Sequence, residues 1–600
     1  MRLEILRAVT LLALLLVGIT ELLSLFTELR PTPLKVLWAA VVCCGLAVVV
    51  KRQPRLQLQW KSLDPVVWFA VLGCSAILLI TAVTAVVSPP NSADAMAYHL
   101  PRIIYWAEQS SVRFFPATYL TQIMLQPFAE YVGLHLYLLT GSDHLINLIQ
   151  WFASGVSIVA VSLAASWFGA GDRGQAIASL FCATIPAGVL ASSGAKNDYV
   201  LAMWMVITVC FALRFATTAS LIDAMFLGFA CGLALLTKGT AYLFLPWPVA
   251  AILLPKWRAL VPKSALIFTC ALIVNTPIYL RNIDLSGSPL GFDSAHANGV
   301  YRWRNERLGW KETSSNLLRH TSDQLGGRSD KWNQSVYEAV LSAHEKLGID
   351  PNDSATTWPY AKFTAPANAN HEANVPNRFH LAALLGVTLL ILWARDRERA
   401  LYVASLVCGF LAFCAYLKWQ PFMARLILPL FVTASPLMAV VGELRGGIST
   451  LLAQLALCFF LLDTARLPAL QNWVRPLKGP SSILKASRQD LYFADLTPWN
   501  NKESYVQSAE FVAKIGCDII GLDTNKYEIE YPLIALVRER KPWVQFVHTE
   551  VVNPSRKYPQ PITAPPCAIV CLECAGDASR LENYSRFERS NTFGRFVVFW

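Results

Sequence analysis

The chain has 600 residues, of which 54% are hydrophobic and only 15% charged, with a formal net charge of +11 and a mean hydropathy of +0.42. So little charge in so long a chain excludes an ordinary soluble protein, and recurrent apolar stretches of about 18 residues or more are the signature of membrane-spanning helices. Only helices satisfy their own backbone in lipid at this length, so the core is a helical bundle. The positive balance reflects basic loops on the cytoplasmic side, not nucleic-acid binding.

The first apolar run, 4–26, has Arg2 and Arg7 near its start. It is too long for a signal peptide and has no small-residue cleavage site, so it reads as an uncleaved span. A second run at about 35–50 ends on the basic stretch Lys51–Lys61, and a third at about 65–87 ends at Ser88-Pro89-Pro90. Basic loops mark the cytoplasm, which places the N-terminus and Lys51–Lys61 inside and the polar stretch from 88 onward outside. Further runs fall at about 146–168, 174–192, 199–217, 221–236, 240–255, 264–281, 379–394, 400–417, 424–441 and 447–463, about thirteen in all. The short Arg- and Lys-bearing loops 171–174, 255–263, 395–399 and 443–445 then all fall inside. Loops 88–145 and 282–378 and everything beyond about 465 fall outside, and the nine histidines lie outside or at the outer edge of a span.

A loop as long as 282–378 needs structure of its own. Leu317, Leu318 and Leu325 define one amphipathic helix face, and Val336, Val340, Leu341 and His344 another. Beyond 465 the charges and prolines rise, and CDIIGLD, YPLIALVRE, WVQFVHTEVV, CAIVCLE and GRFVVFW read as short strands of a small α/β domain. The expected architecture is therefore a polytopic α-helical membrane domain, 1–464, followed by an extracytoplasmic α/β domain, 465–600. Ten of the fourteen cysteines lie in or beside apolar runs and read as small core residues. Cys517, Cys567, Cys571 and Cys574 sit in the tail. Their C-x3-C-x2-C spacing is a weak metal signal, disulfides suit an outer domain better, and the spacing leaves the connectivity open. The glycine spacing around Cys517 does not match a dinucleotide fingerprint.

Chemistry gathers on the outer face. Asp94, Tyr98, His99, Arg102 and Glu130 lie in the first outer loop; Lys196, Asp198, Lys238, Arg281 and Arg425 sit at the ends of apolar runs; His371, Glu372 and His380 close the long loop. Cations can bind and neutralise a phosphate leaving group. A carboxylate can deprotonate an incoming hydroxyl, and carboxylates with imidazoles can hold a divalent metal. Each has a plainer reading. Asp94 and Asp198 stand where helix N-caps belong, Lys196, Lys238, Arg281 and Arg425 suit snorkelling residues, and Glu130 and the His371-Glu372/His380 set suit loop positions. The absence of H-E-x-x-H excludes a zinc-protease helix.

The order of DAMAYHLPR (94–102), QPFAEY (126–131), KNDY (196–199), TKGTA (237–241), Arg281-Asn282 followed by GSPL (287–290), and WQPFMARLILP (419–429) resembles the GT-C class of integral-membrane glycosyltransferases. It is similar to bacterial members related to the aminoarabinose lipid A transferases and the protein O-mannosyltransferases, over roughly 65–440. The resemblance implies a GT-C-like bundle in a bacterial cytoplasmic membrane. There a sugar would pass from a polyprenyl-phosphate donor to a glycan, lipid or protein acceptor on the periplasmic face, in cell-envelope assembly. It implies Asp94 as catalytic base and Lys238, Arg281 and Arg425 as donor-phosphate ligands, to which the residue types add Arg102 and Lys196. Tyr98, His99 and Asp198 are the candidates for acceptor or substrate binding. Glu130, with His371, Glu372 and His380, is the candidate ligand set for Mg²⁺ or Mn²⁺; no nucleotide cofactor is called for. The first loop has a lone Asp94 where protein mannosyltransferases carry an adjacent Asp-Glu pair, which counts against a protein acceptor. The competing readings are a transporter or lipid flippase, which would want midplane ionisable residues and internal repeats, and a non-catalytic assembly scaffold.

Overall fold

The computed structural model describes residues 1–52, 64–295, 301–496, 501–524 and 529–600. The greater part of the expected basic loop after Lys51, and His296 among the histidines, lie outside the described residues. Every expected apolar run is helical. Among the described residues eight helices are long and apolar enough to cross a membrane: Arg2–Leu25, Pro65–Val87, Leu148–Trp167, Asp198–Thr218, Val261–Ser286, Arg397–Tyr416, Ala424–Glu443 and Gly447–Leu470. Pro31–Ala47, Leu221–Thr237, Ala241–Lys256 and Arg378–Trp393 are apolar but shorter. The run at 174–192 breaks into Asp172–Thr184 and Pro186–Ala191, because a proline pushes the residue before it out of the helical region and Ile185 sits at φ −55°, ψ 116°.

Asp198–Thr218 is the bundle's central helix. Asp198 through Ala212 are all buried, as expected of a helix that is apolar all round. On the periphery the reverse holds: Leu79, Phe268, Leu389 and Phe459 are each about two-thirds exposed. Large apolar side chains left in water would cost about 1.5–3 kcal/mol each, so this surface is made for lipid and the chain is a multi-pass membrane protein. Helices Leu221–Thr237 and Ser264–Ser286 approach closely at Gly228 and Gly232. A Cβ on Gly228 would lie 2.5 Å from the Ile267 carbonyl oxygen, and one on Gly232 3.0 Å from the Ala271 Cα, the small-xxx-small spacing that lets membrane helices touch backbone to backbone.

The loop 301–378 carries the helices Trp310–Gln324 and Asp330–Leu347. The second buries Val340 and His344 as expected. The first reverses expectation: it buries Ser315, Asn316, Arg319, His320, Ser322 and Gln324, while Leu317, Leu318 and Leu325 are only half-buried. Asn316 donates to the Cys414 and Leu417 carbonyls, two of the orphan acceptors at the end of helix Arg397–Tyr416. Arg319 donates to the Pro351 carbonyl and to Thr356 and Thr357. The buried polar face thus caps a neighbouring helix and ties the loop to the segment leading to Arg425.

Helix Gly447–Leu470 runs past the expected boundary at 464. The tail then forms a five-stranded sheet of β1 (Ile519–Asp523), β2 (Gln545–His548), β3 (Ala568–Cys571), β4 (Ser590–Phe593) and β5 (Phe596–Phe599), in the order β2-β1-β3-β5-β4. The first three are mutually parallel and β5 and β4 antiparallel, with β4 and β5 joined through Gly594 at φ +59°. One expected strand is a helix: YPLIALVRE lies in Tyr531–Arg540. Pro532 suits a first helical turn and would cost a central strand a ladder bond, and Leu533, Ile534, Leu536 and Val537 repeat at helical spacing.

The tail is built into the bundle's polar end. Glu530 accepts from the Tyr105 hydroxyl (3.1 Å) and Gln122 (2.5 Å) and lies 2.8 Å from His548 Nε2. Arg538 pairs with Glu108 at 2.5 Å. Asp143 receives Arg488, Tyr492 and Tyr531 at 2.5–2.9 Å. Cys517 is disulfide-bonded to Cys567 and Cys571 to Cys574, while the ten cysteines of the helical region are free.

Candidate active site

Asp94 stands where helix Pro65–Val87 has ended and a single π-helical turn, Ala95–His99, begins. Such turns are rare and concentrate at functional sites. The capping reading fails: Asp94 has helical backbone angles (φ −61°, ψ −42°) and its side chain makes no capping bond. The carboxylate turns instead to Arg425, which it contacts as an ion pair. About a third of the Asp94 side chain still reaches water. Burial works to raise its pKa; the Arg425 guanidinium, then Lys196, outweigh it and hold the carboxyl well below the usual range. Tyr98, one turn on, has its phenol pushed well above its ordinary value, by burial and then by Asp94.

Two further carboxylate–cation sets face this pair. Lys238 closes helix Leu221–Thr237 and reaches Asp198 Oδ1 at 2.5 Å and Asn197 Oδ1 at 3.0 Å. Asp198 is therefore no cap either, and its Oδ2 is buried without a hydrogen-bond partner. Lys196 lies 2.7 Å from Glu372 Oε1, and Glu372 Oε2 pairs with Arg475. Lys196, Glu372 and Arg475 are at most 4% exposed at the side chain. Burial tends to raise the Glu372 pKa, but Arg475 and Lys196 drive it well below the usual range. Gly194 leaves the space: a Cβ there would sit 2.9 Å from Glu372 Oε2 and 3.0 Å from Arg475. Lys196, Lys238, Arg425 and Arg475 thus alternate with Asp94, Asp198 and Glu372, each cation held against a carboxylate.

The remaining sequence candidates lie elsewhere. His99 Nδ1 and Arg102 meet Glu130 Oε1 at 2.8 and 3.3 Å, all three buried. Arg102 also donates to the Ile123 and Leu125 carbonyls and covers the Trp106 ring at 4.6 Å. Its two terminal nitrogens are thus engaged inside the loop, and His99 Nδ1 is engaged by Glu130, apart from the Asp94–Arg425 ion pair. Arg281 pairs with Glu21 and donates to the Tyr131 hydroxyl at 3.0 Å, beside this second cluster. His380 is fully buried, 3.1 Å from the Thr184 hydroxyl and against Phe181. His371 lies 2.9 Å from Asp495. The expected metal set of Glu130, His371, Glu372 and His380 is therefore dispersed over three places, and it does not fit a metal ion. Among the described residues the one group with ligand atoms close enough is Asp523, Cys571 and Cys574 in the tail, and there Asp523 already accepts from Arg580 and Tyr584.

Three participants gave no local signal in the sequence: Asn91, Arg475 and Asp495. Arg475 donates to Asn91 Oδ1 at 3.1 Å, and Asp495 accepts from the Ala93 amide at 2.7 Å. Both partners come from beyond the last membrane helix, hundreds of residues from the loop they hold.

No family model matches the chain, and no curated protein matches it. Among solved structures it is similar to ArnT from Cupriavidus metallidurans in the apo state, with a TM-score of 0.49 and 14% identity over 88% of this chain and 97% of that one. The same protein bound to undecaprenyl phosphate gives a TM-score of 0.48 at 14% identity over the same shares. The archaeal oligosaccharyltransferase AglB from Archaeoglobus fulgidus, in complex with an inhibitory peptide and a dolichol-phosphate, gives 0.45 at 11% identity over 84% of this chain and 70% of that one.

Proposed function

We propose that the chain is a GT-C-type membrane glycosyltransferase that moves a hexosyl or pentosyl unit from a polyprenyl-phosphate donor to an acceptor hydroxyl on the periplasmic face of a bacterial inner membrane. The observation that carries this reading is the Asp94–Arg425 ion pair with the Lys196–Glu372 and Lys238–Asp198 pairs beside it, brought from separate parts of the chain to one end of an apolar bundle. A soluble donor would need a nucleotide-binding fold; a lipid-borne phosphate needs cations at a membrane surface and a base beside them. Two tail cysteine pairs, against ten free cysteines in the helical region, support an oxidising compartment for this end. With the N-terminus inside, the thirteen apolar runs each cross once.

The acceptor hydroxyl gives its proton to Asp94 as its oxygen attacks the anomeric carbon, and the bond to the polyprenyl phosphate breaks on the opposite side, inverting the centre. Lys196, Lys238 and Arg425 neutralise the departing phosphate. The unpartnered Oδ2 of Asp198 accepts a substrate hydroxyl. In the resting arrangement Arg425 holds Asp94 too acidic to be a good base, because a base works best with a pKa near the ambient pH. Donor phosphate competes with Asp94 for Arg425, so binding the donor loosens the ion pair and raises the basicity of the carboxylate.

The test is restoration of surface glycan in a strain deleted for this chain, by the wild type and by Asp94→Asn. Loss of glycan at normal membrane levels of the variant is the expected result; full restoration would sink the catalytic assignment and favour a transporter or scaffold. An alkaline phosphatase fusion after residue 350 is expected to be active, and an inactive fusion there reverses the orientation.

A further inference from the structure

The segment between the last membrane helix and the α/β domain, Asn472–Leu496, has little regular structure: within it lies one short helix, Arg488–Leu491. Yet it buries Asn472, Val474, Arg475, Ser482, Ile483, Leu491, Tyr492, Phe493 and Leu496. It crosses the candidate site and touches the chain on both sides of it. On one side is the approach to Asp94. Asn91 donates to the Leu491 carbonyl at 2.8 Å and the Val474 carbonyl at 3.3 Å, and accepts from Arg475 at 3.1 Å. The Ala93 amide, directly before Asp94, donates to Asp495 Oδ2 at 2.7 Å. On the other side is His371-Glu372. Glu372 takes Arg475, and His371 Nε2 lies 2.9 Å from Asp495 Oδ1. The Ala373 amide donates to His371 Nδ1 at 3.2 Å. That leaves the ring hydrogen on Nε2, aimed at Asp495.

Asp495 therefore divides its two oxygens between the backbone before the base and the imidazole beside the Lys196 partner. We infer that Asn472–Leu496 is a strap that sets the position of Asp94, and that Asp495 is a positioning residue acting through the Ala93 amide, with His371 orienting its carboxylate. This rests on the reading of Asp94 as the base. The arrangement assigns His371 a role that is neither metal binding nor contact with substrate. It also gives the residue before the base a fixed acceptor: the amide of Ala93 lies just ahead of the π turn, and the bond it makes to Asp495 fixes where that turn begins.

The test uses the full-length chain in its deletion strain and purified in detergent. Asp495→Ala is expected to lower the rate of glycan formation by about a hundredfold, the cost of displacing a catalytic group by about 1 Å. Binding of undecaprenyl phosphate and the thermal midpoint should stay at wild-type values. Asp495→Asn, whose amide oxygen still accepts from Ala93, is expected to recover most of the rate, and Lys485→Ala, an exposed strap residue, to change nothing. Amide exchange over 91–96 is expected to speed up in Asp495→Ala alone. A wild-type rate in Asp495→Ala, equal losses in the Ala and Asn variants, or a loss accompanied by collapse of lipid binding and thermal midpoint would each overturn the proposal. Full activity of Asp94→Asn would remove the base, but exchange at 91–96 would still report whether Asp495 holds that segment.

Discussion

At Asp94 two effects oppose each other, and their balance can be measured. Burial favours the neutral acid, and Arg425 favours the carboxylate and wins. Arg425→Ala removes the winner, so the carboxyl rises above its present value and the acid limb of the pH–rate profile moves to higher pH. The rate itself should fall by about a hundredfold, as for loss of one preorganised charge. Arg425→Lys should keep the acid limb near its wild-type position. At Gly194, a valine would press on Glu372 and Arg475; activity is expected to fall with little change in membrane insertion, read from glycan formation per unit of folded protein. Of the candidate site, Asp94, Lys196, Asp198, Lys238 and Arg425 were legible in the sequence because each stands at or near the end of an apolar run, whereas Glu372 was legible only as a loop carboxylate offered to a metal. Arg102, His99 and Glu130 have the same residue types at a similar depth and are instead one another's partners. Residue type gives no means of telling a charge spent inside a loop from one held for a ligand.

Among the elements, the helix crossing at Gly228 and Gly232 tolerates no side chain on the touching face. Gly228→Leu should split Leu221–Thr237 from Ser264–Ser286, and with it move Lys238 off Asp198; the expected readout is a lowered thermal midpoint together with lost activity. Helix Trp310–Gln324 offers an electrostatic test. Burial pushes the Asp323 carboxyl up to about 7, against the Trp419 indole N–H that it accepts at 2.9 Å. A carboxyl raised in the folded state binds its proton more tightly than in the unfolded chain, so folding weakens as pH climbs from the ordinary carboxylate range toward 7. Asp323→Asn should therefore raise the thermal midpoint at pH 8 and leave it nearly unchanged at pH 4. This helix was also where periodicity misled. Its leucines mark a genuine apolar face, but the polar face had more to satisfy, namely the open carbonyls at the end of a neighbouring helix. In the tail the same argument ran the other way, and a proline overruled the apolar run that read as a strand.

Over the whole molecule, thirteen apolar runs were legible because lipid demands long, uninterrupted hydrophobicity. The partnership between loop 88–145 and the tail was not, because it depends on single polar contacts such as Tyr105–Glu530 and Asp143–Tyr531 that leave no pattern. The tail's Cys517–Cys567 bond encloses a sequence separation of 50, and its removal should cost the domain about 2–4 kcal/mol. Cys517→Ser is expected to lower the unfolding midpoint under non-reducing conditions and to match the wild type once both are reduced.

The strap also has a bearing on how the protein is made. Asp94 leaves the ribosome early, but the acceptor for the amide before it, Asp495, follows only after the remaining apolar helices, through Gly447–Leu470, have been made. Throughout that interval the loop carrying the base must wait, with its polar groups unsatisfied, for partners still to be translated. Under the proposed function, a chain interrupted after residue 470 is expected to insert its apolar helices and yet form no glycan, because the strap that holds the Ala93 amide has not been made.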